Sequence, residues 1–330
     1  MAYNCWNFMK ERHYVTGSLT SQEKEFPLAY SITMHDSVFQ FETLLRAIYR
    51  PQNYYCIQVD RKAPQLLLDG VKNIAKCFSN VFCDTHRIDV RPNSLSIAHA
   101  HLSCMRKLLI YPKWKYYMNL NEGDFPLKTN YEITEILKSL NGSNDVQGLP
   151  YRHINGKIYH PPHGLFGFTG SPRVLLNRQT AEFVGRNPQS NSILAWAIRT
   201  KQPYRNFFAT INYNPRLSLP GTYHGPLDES VLKSYRHIVQ YTVSKLPKSE
   251  QRKSCRGRLQ GETCVFGVDD MPTLYKRKEL LVHKVKWDYQ GVVLACLEHE
   301  IQRRTRLQYL IPRKYDTRFY RNLTFIKYST

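Results

Sequence analysis

The chain has 330 residues, 42% of them hydrophobic, which suffices for one large α/β domain or two ordinary ones. Its 47 Lys and Arg against 26 Asp and Glu give a formal charge of +21. This field attracts nucleotide phosphates, nucleic acid or acidic membrane and matrix surfaces alike and names no partner. The basic residues are scattered, in runs no longer than three such as Lys276-Arg277-Lys278 and Arg303-Arg304, so no nucleic-acid arm is present.

Leu28–Met34 is a short apolar run, long enough for a buried strand and too short for a helix, and it ends at His35. Asp36 or Ser37 then caps a helix in which Val38, Phe41, Leu45 and Ile48 share one face, and Pro51 stops it. The next strand, Tyr54–Val59, runs directly into Asp60. An acid after a strand is commonly a turn residue. In an open parallel sheet, however, ligands sit off the carboxyl ends of the strands, and His35 ends the neighbouring strand, so Asp60 reads as facing a nucleotide crevice. The alternation continues with an amphipathic segment over 66–78, a strand at 81–82, a helix over 97–110 and a strand over 116–120. That last strand leads into Asn121-Glu122-Gly123-Asp124-Phe125-Pro126, a turn that sets Asp124 at another carboxyl end, and a helix over 131–140 follows. The pattern predicts an α/β fold, a Rossmann-type, mostly parallel sheet with helices on both faces. After 141–145 the elements shorten, with turns at Pro161-Pro162-His163-Gly164 and Pro220-Gly221, which predicts a loop-rich C-terminal half carrying recognition residues.

Eight cysteines without a Cys-x-x-Cys pair argue against a zinc ribbon or a thioredoxin-like motif and fit secretory disulfides better. The sequons at Asn141 and Asn322 are glycan acceptors if the chain enters the secretory route. No stretch approaches the roughly twenty apolar residues of a membrane span, and residues 1–30 lack the shape of a signal peptide.

The run Leu44-Leu45-Arg46-Ala47-Ile48-Tyr49-Arg50-Pro51-Gln52-Asn53-Tyr54-Tyr55-Cys56-Ile57-Gln58-Val59-Asp60, with Cys77-Phe78-Ser79-Asn80-Val81-Phe82 and Trp114-Lys115-Tyr116, resembles the core-2/I-branching β-1,6-N-acetylglucosaminyltransferases, glycosyltransferase family 14. The likeness continues through Gly123-Asp124-Phe125-Pro126-Leu127-Lys128-Thr129, Phe168-Thr169-Gly170-Ser171, Trp196-Ala197, Ala209-Thr210-Ile211, Cys264-Val265-Phe266-Gly267 and Cys296-Leu297-Glu298-His299. It implies a GT-A-like glycosyltransferase domain over 26–300, with a nucleotide-sugar-binding half at 26–140 and an acceptor half at 146–300. Flanking it are an N-terminal segment at 1–25 and a basic C-terminal extension at 301–330. The implied reaction is metal-independent, inverting transfer of a sugar, N-acetylglucosamine by family, from a UDP-sugar in β-1,6 linkage to a glycan or glycoprotein acceptor. The UDP-sugar is a substrate, so no cofactor is expected. Members are Golgi proteins with an N-terminal membrane anchor, which implies membrane association through a segment outside this chain. The resemblance further implies disulfides Cys5–Cys77, Cys56–Cys104 and Cys255–Cys264. Cys83 and Cys296 are left to pair with each other, to pair with another chain or to stay reduced.

By the same resemblance Thr33, His35 and Asp60 lie near the uridine, and Lys284 is one of two cations facing the diphosphate. Glu122 and Asp124 mimic the Asp-x-Asp spacing of manganese sites, but the family has no acid at position 122, so metal binding there is the weaker reading. The second cation, an Arg in the family, falls on Gly261; Arg256 and Arg258 in the same loop are the candidate substitutes. The catalytic base, a Glu in the family, falls on Arg205, and a guanidinium cannot take the acceptor's proton. Glu229, beside Asp228, is the substitute candidate, against the plain role of a first-turn acid on a helix. On the acceptor side a charged segment before Asn155-Gly156-Lys157 is shortened, and an aromatic pair maps to Val239 and Tyr241, which leaves Tyr241 as the acceptor contact. Three readings follow: an active transferase building branches on mucin-type glycans, a degenerate relative that binds donor or glycan without turnover, and a basic secreted module that binds acidic polysaccharide by charge.

Overall fold

The computed structural model describes residues 4–91, 94–151, 160–244 and 254–329. Its central sheet is built on β1 (Leu28–Met34), β2 (Tyr54–Val59), β3 (Val81–Cys83) and β4 (Tyr116–Asn121), which run parallel in the order β3-β2-β1-β4. These strands read as near-continuous apolar runs because both faces of a parallel sheet are covered. After β4 the chain turns through Glu122 and Gly123 into β5 (Asp124–Pro126); β6 (Asp145–Val146) lies at the far edge of the main sheet. A hairpin-like pair, β7 (Leu149–Pro150) and β8 (Phe168–Thr169), precedes β9 (Val174–Asn177), which joins antiparallel between β4 and β6. The remaining strands are β10 (Gln240–Tyr241), the hairpin β11 (Arg258–Gln260) with β12 (Thr263–Val265), and β13 (Leu281–His283). A second sheet has the order β10-β13-β5, so β5 carries the chain from the main sheet into the smaller one.

Two apolar layers sandwich the main sheet. Tyr30, Ile32, Met34, Ile57 and Val59 pack with the helices Val38–Ile48, Gln65–Ala75, Asn130–Ser139 and Val292–Leu310. Ala29, Cys56 and Tyr117 face the helices Ser96–Leu108, Arg178–Arg186, Pro188–Ala197 and Pro203–Asn212. The expected α/β architecture, mostly parallel with helices on both faces, is thus observed. Between the two candidate caps of the first helix it is Ser37 that acts, its side chain accepting from Gln40 N–H at 3.2 Å.

The flanking segments set apart in the sequence pack into the same core. Phe8 and Tyr14 join Phe78, and Tyr320, Leu323 and Phe325 join the layer that holds Ile238 and Val239. The helix Val292–Leu310 runs across position 300 without a break. The three disulfides Cys5–Cys77, Cys56–Cys104 and Cys255–Cys264 are formed, and Cys83 and Cys296 are unpaired. Asn141 and Asn322 are both exposed. No helix among the described residues is long and apolar enough to cross a membrane.

Beneath β1, Ser31 Oγ lies 2.8 Å from His101 Nδ1 and 2.5 Å from the Tyr117 hydroxyl, while His101 Nε2 has no hydrogen-bond partner among the described residues. Burial, reinforced by the charge of Arg173, pushes the imidazole pKa down to about 3. The neutral ring is therefore the folded form, and the unfolded chain binds the extra proton between roughly pH 6.5 and 3. Stability from this group is complete above the unfolded pKa and declines as pH falls, by up to about 1.4 kcal/mol per pH unit. Denaturant titrations from pH 7 to pH 5 should show the wild type losing more stability than His101→Gln; equal losses would mean that His101 already carries its charge in the folded state.

Candidate active site

The carboxyl ends of β1, β2 and β4 open on a cleft of about 650 Å³, within the range of small-molecule sites. Thr33, His35, Asp60 and Lys284, separated by up to 251 positions in the chain (284 less 33), all line it. β1 ends at His35, and β2 delivers Asp60, which is 7% exposed. Asp60 Oδ1 accepts from Lys62 N–H at 2.8 Å, while Oδ2 has no protein partner among the described residues and is free to accept from a ligand hydroxyl or amide.

Glu122 and Asp124, the pair with metal-site spacing, are both committed to protein donors. Glu122 Oε2 accepts from the backbone N–H groups of His35 at 3.1 Å and Asp36 at 3.0 Å, and Oε1 lies 3.1 Å from His35 Nδ1. It fixes the turn that follows β1. Asp124 is fully buried. Its Oδ1 accepts from Gln240 Nε2 at 2.7 Å and lies 2.7 Å from His283 Nδ1; Oδ2 accepts from Asn121 N–H at 2.9 Å and sits 3.3 Å from Arg173 Nε. Burial opposes the Asp124 charge, but Arg173, His283 and the Asn121 amide outweigh it and hold the carboxyl below its ordinary range.

Lys284 follows β13 with φ of +60°, in the left-handed region that costs a side-chain-bearing residue about 1–3 kcal/mol. The bonds on either side enforce it: Phe266 N–H donates to Lys284 C=O at 3.2 Å, and Val285 N–H to Gly123 C=O at 3.1 Å. The Lys284 ammonium reaches Gln260 C=O at 3.3 Å. Burial, with help from neighbouring Lys286, lowers its pKa.

The other sequence candidates lie outside this lining. Gly261 is at the tip of the β11–β12 hairpin with φ of +62° and carries no charge. Arg258 stacks 4.5 Å over the Tyr289 ring and Arg256 donates to Asp269 C=O at 3.5 Å, so neither candidate substitute lines the cleft. Arg205 sits on the helix Pro203–Asn212, its Nη1 3.3 Å from Gln202 Oε1. That helix is a shared wall: Tyr204 lines the main cleft, whereas Gln202 and Asn206 line a separate depression of about 290 Å³. Glu229 is in that depression, at the start of the helix Glu229–Ser234, and pairs with Lys233 Nζ at 2.7 Å. Tyr241 stacks on Phe266 at 5.5 Å, with the Arg277 guanidinium 3.7 Å from its ring centroid, and does not line the main cleft. Asn155-Gly156-Lys157 lies outside the described residues. Sequence reasoning passed over Arg173 and Lys286 in the cleft wall; the i+2 spacing of Lys286 from Lys284 was the only signal for the latter.

The family model described as Core-2/I-Branching enzyme matches residues 28–274. Human beta-1,3-galactosyl-O-glycosyl-glycoprotein beta-1,6-N-acetylglucosaminyltransferase 3 is 32% identical over 323 residues, covering 91% of this chain and 73% of its own. A second human relative, named beta-1,3-galactosyl-O-glycosyl-glycoprotein beta-1,6-N-acetylglucosaminyltransferase, is 33% identical over 326 residues, covering 92% of this chain and 76% of its own. The family match spans every strand of the main sheet, and the chain accordingly belongs to the core-2/I-branching family of glycosyltransferases.

Proposed function

We propose that the protein transfers a sugar, N-acetylglucosamine, from a UDP-sugar in β-1,6 linkage to a glycan or glycoprotein acceptor, by inversion and without a metal. The observation that carries the reading is the convergence of Thr33, His35, Asp60 and Lys284 on one cleft at the carboxyl edge of the sheet. Asp60 would receive ribose or uracil donors, and Lys284 would face the diphosphate, whose negative charge grows as the anomeric bond breaks. Metal independence is supported by the engagement of Glu122 and Asp124 with protein donors, together with ammonium groups in the cleft wall. In this reading the acceptor lies toward Tyr241 and the depression beside the helix Pro203–Asn212, and the enzyme works at the lumenal side of the Golgi membrane.

The base is the open part of the chemistry, since Arg205 stands at its position and Glu229 lies in the neighbouring depression, paired with Lys233. That placement favours a second reading, a protein that grips the donor without turning it over. Calorimetric titration with UDP-N-acetylglucosamine, UDP-glucose and UDP-xylose tests the donor, and transfer or donor hydrolysis tests turnover. With Glu229 as base, Glu229→Gln binds UDP as the wild type does and loses turnover by at least about 100-fold. Turnover that survives the substitution removes Glu229 from the mechanism, and saturable binding without turnover in the wild type establishes the second reading.

A further inference from the structure

Resting on this donor reading, we propose that Lys286 is the second cation of the diphosphate site and contacts the leaving group together with Lys284. A diphosphate needs more than one positive charge when no metal bridges it, because its charge increases as it departs. The cleft wall holds Arg173, His35, His283, Lys284 and Lys286 among the described residues. Most of these are already spoken for: Arg173 and His283 lie against Asp124 at 3.3 Å and 2.7 Å, and His35 against Glu122 at 3.1 Å. Among the described residues Lys284 meets only the Gln260 carbonyl, and Lys286 meets only Asp36, at 4.0 Å. The two lysines are the cations left for a ligand.

Lys286 is also held in place. Gln40, on the helix Val38–Ile48 and 3% exposed, donates through Nε2 to Val285 C=O at 2.9 Å and accepts through Oε1 from Trp287 N–H at 2.9 Å. One buried amide therefore clamps the peptide on both sides of Lys286 and fixes the backbone from which its side chain reaches the cleft. The second ammonium raises the energy of the first, since the charge of Lys286 helps to depress the Lys284 pKa. An anion between them relieves that repulsion. Neither lysine moves a proton: as the anomeric C–O bond breaks, its electron pair goes to the β-phosphate oxygen, and both groups stay ammonium throughout.

Calorimetric titration of the whole chain with UDP and with uridine, at two salt concentrations, tests this assignment. Lys286→Ala should bind UDP about 10-fold or more weakly, as expected for one lost charge-assisted bond, with uridine affinity unchanged and a shallower dependence of UDP affinity on salt. Lys286→Arg should recover most of the UDP affinity. UDP affinity within about 2-fold of wild type in Lys286→Ala, or equal losses for UDP and uridine, overturns the assignment and leaves the donor reading intact. A wild type that binds neither ligand overturns both.

Discussion

Replacing Lys284 by Ala is expected to lower sugar transfer by about 100- to 1,000-fold, the usual cost of deleting one preorganised group that faces charge growing in a transition state. The loss should fall mainly on kcat, because the diphosphate carries its greatest charge as the anomeric bond breaks, and uridine affinity should stay near wild type. Geometry supports so large an effect: the left-handed backbone at Lys284 is enforced by the bonds to Phe266 and Gly123, and the ammonium is the end of a wall that also carries Asp60 and His35. The alkaline limb of the rate profile gives an independent reading. Burial and the Lys286 charge lower the Lys284 pKa, so the required ammonium is present at low and neutral pH and is lost, as pH rises, earlier than an ordinary lysine would be. Lys286→Ala removes one of the two causes and should move that limb upward. A kcat for Lys284→Ala within about 5-fold of wild type would place the diphosphate elsewhere.

That His35 and Asp60 would share one edge of the sheet was legible because parallel strands announce their ends. β1 and β2 are uninterrupted apolar runs that stop at His35 and Asp60, and neighbouring parallel strands necessarily finish side by side. The three disulfides came from the resemblance, not from spacing, which leaves connectivity open. What stayed hidden depends on long-range packing. His283 meets Asp124 across 159 positions through two strands of only three residues each, too short for a period to register. Residues 301–330 read as a basic extension because the family likeness ends near residue 300, yet Tyr320, Leu323 and Phe325, spaced among polar and charged neighbours, are buried in the common core. Local basic runs likewise gave no hint that Arg277 covers Tyr241 or that Arg304 pairs with Glu132 at 2.7 Å. Nor does a sequence say on which side of the helix Pro203–Asn212 a distant acid will land, which is why Glu229 was a candidate for a cleft that it does not line.

Asp124→Ala should cost about 3–5 kcal/mol, the range for removing one partner of a buried ion pair. The carboxylate is the joint between the two sheets: β5 follows β4 directly, pairs with β13 so that Asp124 lies opposite His283, and receives Gln240 from β10. Truncation leaves the Arg173 guanidinium, 8% exposed, without its counter-charge and strands the Asn121 amide, His283 and Gln240 together. Asp124→Asn keeps the shape and an oxygen for the Asn121 amide but removes the charge, so it should cost less than Ala and more than a surface change. The pH dependence separates charge from packing. Because the folded carboxyl titrates below its unfolded value, its contribution is present above the unfolded pKa, near 3.9, and is lost as pH falls through the folded pKa. The wild type should therefore lose stability more steeply than Asp124→Asn as pH falls below about 4, and the two curves should converge at the acid end. Parallel curves across that window would show that Asp124 holds the sheets together through packing and neutral hydrogen bonds, with no net contribution from its charge.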